Sequence, residues 1–193
     1  MIDWKKLTQE ILGGLLIGFA SCFYITAGMG SDPMTTMQEG ISIQTGIELG
    51  MVSIITNIFF ITLLFLTDKK RIGIGTVINP IFITIGIDIL ELILPVSDIL
   101  IIRLIYIVCG LLTAALGVGL SITAHYGDLS YDGFVLALSE KTKLQFRVIR
   151  WVFDGTMLIL GILMKGSWGL GTVNALVLQG TVIQFFIKAL SKK

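Results

Sequence analysis

"RIGIGTVI" (residues 71–78) and "SWGLGTVN" (residues 167–174) each place a Gly-x-Gly-Thr-Val turn at the head of an apolar run. One such turn is unremarkable, but two copies at corresponding places point to a chain of two related halves. Working outward, other pairs fall into step. "ITAGMG" (25–30) meets "ITAHYG" (122–127) at a shift of 97, and at that shift Ser42 and Thr45 meet Ser139 and Thr142, while Asn57 meets Asp154. "GIGTV" (73–77) meets "GLGTV" (169–173) at a shift of 96, so one residue is lost between. Chance gives stray identities among apolar residues, but it does not keep the pre-loop motif, the mid-helix polar residue and the turn in one order.

The solvent for these halves is set by composition. Of 193 residues, 54% are hydrophobic and 14% charged, with a mean hydropathy of +0.92. Soluble domains carry about 25% charged residues, so this chain is expected in a bilayer. A net charge of +1, with no basic run longer than Lys69-Lys70-Arg71, offers nothing to nucleic acid. Cys22 and Cys109 lie within apolar stretches and are expected as small core residues. With His125 the single histidine and no Cys/His cluster, neither a metal nor a cofactor is expected. No nucleophile elbow, Walker loop or clustered carboxylate signature is present, so the expectation is a protein that is not an enzyme.

Six apolar runs cover about 10–29, 47–67, 72–94, 99–124, 146–165 and 170–188. Each is near the ~20 residues of a spanning helix, and none alternates as a barrel strand would. Lys5 and Lys6 before an apolar run suggest a signal peptide, and "FASC" brushes against a lipobox. The same kind of segment recurs in mid-chain, so the first run is expected as a retained helix. Basic residues then fix orientation. Lys5 and Lys6, "DKKR" (68–71), the 125–147 region with Lys141, Lys143 and Arg147, and the closing "KALSKK" share one side if all six runs cross. Asp32, Glu39, Asp88, Glu91 and Asp98 fall opposite. Both termini are therefore expected in the cytoplasm.

Three crossings per unit is an odd number. The second unit must enter from the opposite face, which predicts an all-α polytopic protein of six spans in two inverted three-helix repeats, residues 1–98 and 99–193, forming one membrane domain. After its first span each unit carries a helix too short to cross, expected to be re-entrant or interfacial. In the first unit Asp32 is the expected N-cap, Pro33 the first helical residue and Gly40 the stop. In the second, Ser130 or Asp128 is the expected cap, with Asp132 in the first turn, for a helix reaching about Lys141. The positive end of a buried half-helix would be a site for an anionic group.

Polar residues within the apolar runs supply the candidate site. Asp154 lies well inside the fifth run, with Arg150 one turn earlier on the same face, and Asn57 is its counterpart in the second run. These three are expected to line a polar centre near mid-depth, Asp154 acting as a proton or cation relay. The bland alternative is an Arg150–Asp154 pair that only locks one helix to its neighbours. For Gly73, Gly75, Thr76, Gly169, Gly171 and Thr172 the expected role is helix capping and close approach, with a backbone contact to substrate as the functional alternative. Arg103 is expected to snorkel, and His125 to cap a carbonyl.

The ordered run "AGMGSDP…GISIQTG…N…RIGIGT" then "AHYGDLSYDG…R…D…GSWGLGTV" resembles the YczE/YitT-type bacterial integral membrane proteins over nearly the whole chain. The resemblance implies a small multi-pass protein of the bacterial cytoplasmic membrane and supplies no reaction or substrate. The family pattern leads one to expect a Gly-Pro-Tyr-Asp type run in the second unit, where this chain has "GDLSYDG" with Leu129 and Ser130. Three functions fit: a transporter or channel for a small solute, the membrane substrate-binding subunit of an ATPase-driven importer, or a non-transporting accessory protein. The second would need a docking face, such as Gly14, Gly18 and Ala20 along the first helix. The lipid bilayer and an unknown small solute are the expected partners, with a homodimer or a membrane-protein partner left open.

Overall fold

The computed structural model describes residues 3–191, so Lys192 and Lys193 of the basic C-terminal run lie outside the described residues. The chain is helical: α1 (Trp4–Ala27), α2 (Pro33–Thr45), α3 (Leu49–Asp68), a 3-10 turn (Lys69–Arg71), α4 (Ile74–Glu91), α5 (Leu100–Ala124), α6 (Ser130–Thr142), α7 (Phe146–Leu163), α8 (Leu170–Asn174), a π segment (Ala175–Gln179) and α9 (Gly180–Leu190). Among the described residues, five segments are long and apolar enough to cross a membrane: Trp4–Ala27, Leu49–Arg71, Ile74–Glu91, Leu100–Ala124 and Leu170–Leu190. The remaining long helix, α7, is not among them; it carries Arg147, Arg150 and Asp154 in 18 residues.

Helical periodicity decides what faces inward. On α3, Val52, Thr56, Phe60 and Leu64 recur every fourth residue and are buried, while Ile54, Ile55, Ile58, Phe59, Phe65 and Leu66 are exposed. Large exposed aliphatic faces of this kind suit lipid and not water. The main packing pairs are α1 with α5 and α4, α5 with α9, α2 with α7, and α3 with α6. Small residues allow α1 its close neighbours: a Cβ on Gly13 would stand 2.9 Å from Gly117 O, and one on Gly18 would stand 2.9 Å from Gly86 Cα. The small-residue face of α1 is therefore used internally. Gly14 abuts Phe82 and Asn79, Gly18 abuts Ile83 and Gly86, and Ala20 is buried, so these residues offer no docking face to an importer partner.

The two Gly-x-Gly-Thr turns share one geometry and dock on opposite halves. Gly73 N–H donates to Thr76 Oγ1 at 3.2 Å, and Gly169 N–H donates to Thr172 Oγ1 at 3.2 Å. Gly75 N–H then donates to Tyr126 O at 2.9 Å, while Gly171 N–H donates to Met29 O at 2.8 Å. Each turn thus locks onto the "ITAxxG" motif of the other half. The matching residues of the short helices make matching bonds too. Ser42 Oγ donates to Ile47 O at 2.7 Å and Ser139 Oγ to Leu144 O at 2.6 Å. Gly28 and Gly46 end α1 and α2 in the left-handed region (φ 57° and 72°), and His125 and Lys143 do the same for α5 and α6 (φ 51° and 61°).

Several local expectations need correction. Gly40 does not stop α2, which continues to Thr45 and ends at Gly46; Gly40 instead lies against Met164 and Gly161 of the α7 end. Neither Ser130 nor Asp128 caps α6: its N-cap is Leu129, Ser130 Oγ bonds Asn57, and Asp128 pairs with Arg71. The expected caps are taken because longer-range partners satisfy those side chains. Arg103 has a further role at the start of α5: it donates from Nε to Ala27 O at 2.5 Å and from Nη2 to Gly28 O at 2.7 Å, capping the end of α1.

Candidate functional site

Six residues proposed from sequence, Asp32, Asn57, Ser130, Asp132, Arg150 and Asp154, line one cavity of about 290 Å³ between the two halves. Its polar wall is assembled by local rules. Asp32 caps α2, its Oδ1 accepting the N–H groups of Met34 and Thr35 at 3.1 Å each, and its Oδ2 accepting from Thr35 Oγ1 at 2.7 Å. Pro33 at the first helical position needs no N–H partner, which starts the helix at that point. On the facing side Asn57 Oδ1 accepts from Ser130 Oγ at 2.8 Å and Asn57 Nδ2 donates to Ser53 O at 3.0 Å.

Arg150 is the hub of the wall. It is 5% exposed and lies one turn from Asp154, so Nε reaches Asp154 Oδ2 at 3.2 Å, while Nη1 pairs with Asp132 Oδ1 from α6. Asp154 Oδ1 accepts from the Tyr131 hydroxyl, and the guanidinium stands 5.2 Å from the Tyr131 ring centroid. The buried charges of this cluster, Arg150, Asp132 and Asp154, are thus each paired.

Charge decides what the cavity can hold. One guanidinium lines the wall with three carboxyl groups, Asp32, Asp132 and Asp154, a formal excess of two negative charges. Two further cavity-lining groups, Tyr24 OH and Gln179 Oε1, are buried without a partner. Gln179 reaches the wall from the π segment, a helical irregularity of the kind that re-aims side chains. Both short helices bring their N-terminal ends here, yet Asp32 and Asp132 occupy those ends. At α2 the Asp32 carboxylate already accepts the free N–H groups, while at the uncapped α6 the first-turn Asp132 pairs with Arg150, so each helix end carries an acidic side chain of the chain itself. Sequence reasoning missed Tyr24, Tyr131 and Gln179; an isolated Tyr or Gln in an apolar run gives no spacing signal.

The six turn residues sit elsewhere. Gly73, Gly75, Thr76, Gly169, Gly171 and Thr172 are absent from the cavity wall and serve the backbone docking described above. Beside the first turn Arg71 holds three carboxylates, Asp128 at 2.7 Å, Glu140 at 2.6 Å and Asp68 at 3.4 Å. Burial pushes the Asp128 carboxyl above its usual range, against the pull of Arg71. At the second turn Glu39 takes the Ser167 N–H at 2.8 Å and the Ser167 hydroxyl at 2.9 Å. Among the described residues no group of three or more His, Cys, Asp or Glu side chains is placed to hold a metal ion.

With that geometry in hand, the chain belongs to the family of unknown function DUF6198, whose model matches residues 4–188. It is similar to an uncharacterized protein of Haemophilus influenzae, 30% identical over 190 residues, covering 98% of this chain and 87% of the relative. It is also similar to two Bacillus subtilis proteins. The "Uncharacterized protein YyaS" is 26% identical over 181 residues (91% and 89% covered), and the "Uncharacterized membrane protein YczE" is 25% identical over 181 residues (93% and 84% covered). No solved structure matches. The apolar helices and the YczE likeness together make this a multi-pass, all-helical membrane protein of the YczE type.

Proposed function

We propose that this DUF6198 member moves a small cationic solute through the cavity between its halves, the ion-paired Arg150–Asp132–Asp154 wall forming the binding site. The observation that carries the reading is the charge of the cavity: one cation against three anions, with Tyr24 OH and Gln179 Oε1 unpartnered. Such a wall accepts hydrogen bonds more readily than it donates them, which suits an ammonium or guanidinium group. The volume, about 290 Å³, lies at the small end of the roughly 300–1,000 Å³ typical of small-molecule sites.

The architecture of the proposal is two inverted repeats of three spans, 1–98 and 99–193, with both termini in the cytoplasm of a bacterium and the protein in its inner membrane. Support comes from the exchanged docking of the two turns, from the paired Ser42/Ser139 bonds, and from packing pairs that swap under exchange of the halves. On this reading α7 is the sixth span. Arg150 and Asp154 are buried within the protein, so a crossing by α7 keeps those two charges away from lipid. Binding sites built at the interface of such repeats suit alternating access, in which one half rocks against the other.

The test is reconstitution of the purified protein in liposomes, with uptake of small labelled cations, choline and simple diamines first, measured beside a neutral and an anionic solute of similar size. Selective cation uptake is the expected result. Liposomes that take up none of them, with no thermal stabilisation by any cation, refute it.

A further inference from the structure

A second polar cluster lies outside the cavity. Glu10 on α1, Asn79 on α4 and Ser121 on α5 are each 0% exposed. Asn79 Nδ2 donates to Glu10 Oε2 at 2.6 Å, and Ser121 Oγ donates to the same oxygen at 2.8 Å. Oε2 is thus doubly satisfied. Oε1 has no partner, and neither has Asn79 Oδ1. Whereas Asp132, Asp154 and Asp128 each pair with an arginine, Glu10 has no ion pair among the described residues.

An ionised carboxylate with no countercharge, one oxygen unbonded, is strongly penalised in a dry interior, while a carboxylic acid is not. The lone oxygen is close to a water-facing feature. A Cβ on Gly75 would stand 2.9 Å from Glu10 Oε1 and would also strike Gly127 O. Gly127 lines a charged pocket of about 340 Å³ together with Asp68, Lys70, Arg71, His125 and Asp128. Gly75 therefore lies beside both Oε1 and Gly127, a residue of that pocket's lining.

We propose that Glu10, held by Asn79 and Ser121, is a proton-binding site whose Oε1 carries an exchangeable proton, passed to and from the Asp128 pocket beside Gly75. The O–H bond at Oε1 breaks as the proton moves to pocket water, and the same bond re-forms on return. Groups facing Glu10 are Asn79 from α4, Ser121 from α5 and, from the loop after α5, Asp128, itself paired with Arg71. The site is independent of the cation cavity, and its test does not need a transported solute.

Infrared spectra of the reconstituted full chain, titrated with pH, read the proton directly. The expected result is a carboxylic-acid carbonyl band that fades as pH rises, is lost in Glu10→Gln and persists in Asp128→Asn. Glu10→Gln keeps an oxygen to accept from Asn79 and Ser121, so it is expected to fold. Ser121→Ala removes a donor that favours the ionised form, and shifts the fading of the band to higher pH. Identical spectra for the wild type and Glu10→Gln overturn the proposal. An unshifted midpoint in Ser121→Ala, or a band removed by sodium at fixed pH, overturns it as well, the last in favour of a metal-cation site.

Discussion

Gly171 donates its backbone N–H to Met29 O at 2.8 Å, joining the head of α8 to the end of α1. The turn approaches so closely that a Cβ on Gly171 would run into the Gly30 carbonyl, as one on Gly75 would run into that of Gly127. Either glycine changed to alanine is expected to cost about 1–3 kcal/mol by overpacking. Gly50→Ala, where nothing lies within 4 Å, should stay within about 1 kcal/mol of the parent and on the stabilising side. Thermal unfolding of the three variants in one detergent checks the contrast; equal losses at all three positions contradict the docking.

Arg150 joins α7 to α6 through Asp132 and to its own turn through Asp154. Arg150→Met leaves two buried carboxylates without their cation, and is expected to destabilise by about 3–5 kcal/mol. Adding Asp132→Asn and Asp154→Asn to that variant should recover a large part of the loss, since no charge is then stranded. A triple variant no more stable than the single one would show that the arginine acts through packing alone.

The cavity carboxylates can be tested without losing the fold. Asp154→Asn still accepts from Tyr131 but turns its amide N–H2 toward Arg150 Nε, so melting should fall by less than in Arg150→Met, which strands two charges, whereas stabilisation by small cations should disappear. Asp32→Ser keeps a capping oxygen for α2 and removes one negative charge, with cation affinity expected to fall about tenfold, or 1.4 kcal/mol. Unaltered cation binding in both variants places the ligand somewhere else.

Membrane sidedness distinguishes five crossings from six. In a background with Cys22 and Cys109 replaced by serine, Lys70→Cys and Ser191→Cys should react with an impermeant maleimide from the same side. Lys165→Cys and Ser97→Cys should react from the other. If α7 does not cross, Ser191→Cys moves to the side opposite Lys70→Cys, and the paired-repeat architecture falls.

Much of this protein was legible before any coordinates. Apolar runs near the length of a bilayer can satisfy their backbone groups only as helices, so the all-helical class and the approximate bounds of the long apolar helices follow from composition and hydropathy. Asp32 before Pro33 announced the start of α2, and the i, i+4 spacing of Arg150 and Asp154 placed both on one face, because capping and helix periodicity act over a few residues. Contacts between distant segments are different in kind. That Ser130 bonds Asn57 and leaves α6 uncapped, that Arg150 takes a second carboxylate from α6, and that each glycine turn docks on the opposite half depend on helices far apart in sequence. The sign of the cavity belongs to the same class. A helix end by itself attracts anions, and only the packed molecule brings three carboxyl groups and one arginine to the wall of one cavity. Short-range chemistry is written in neighbouring letters, while charge balance and buried partnership are sums over the whole packed molecule.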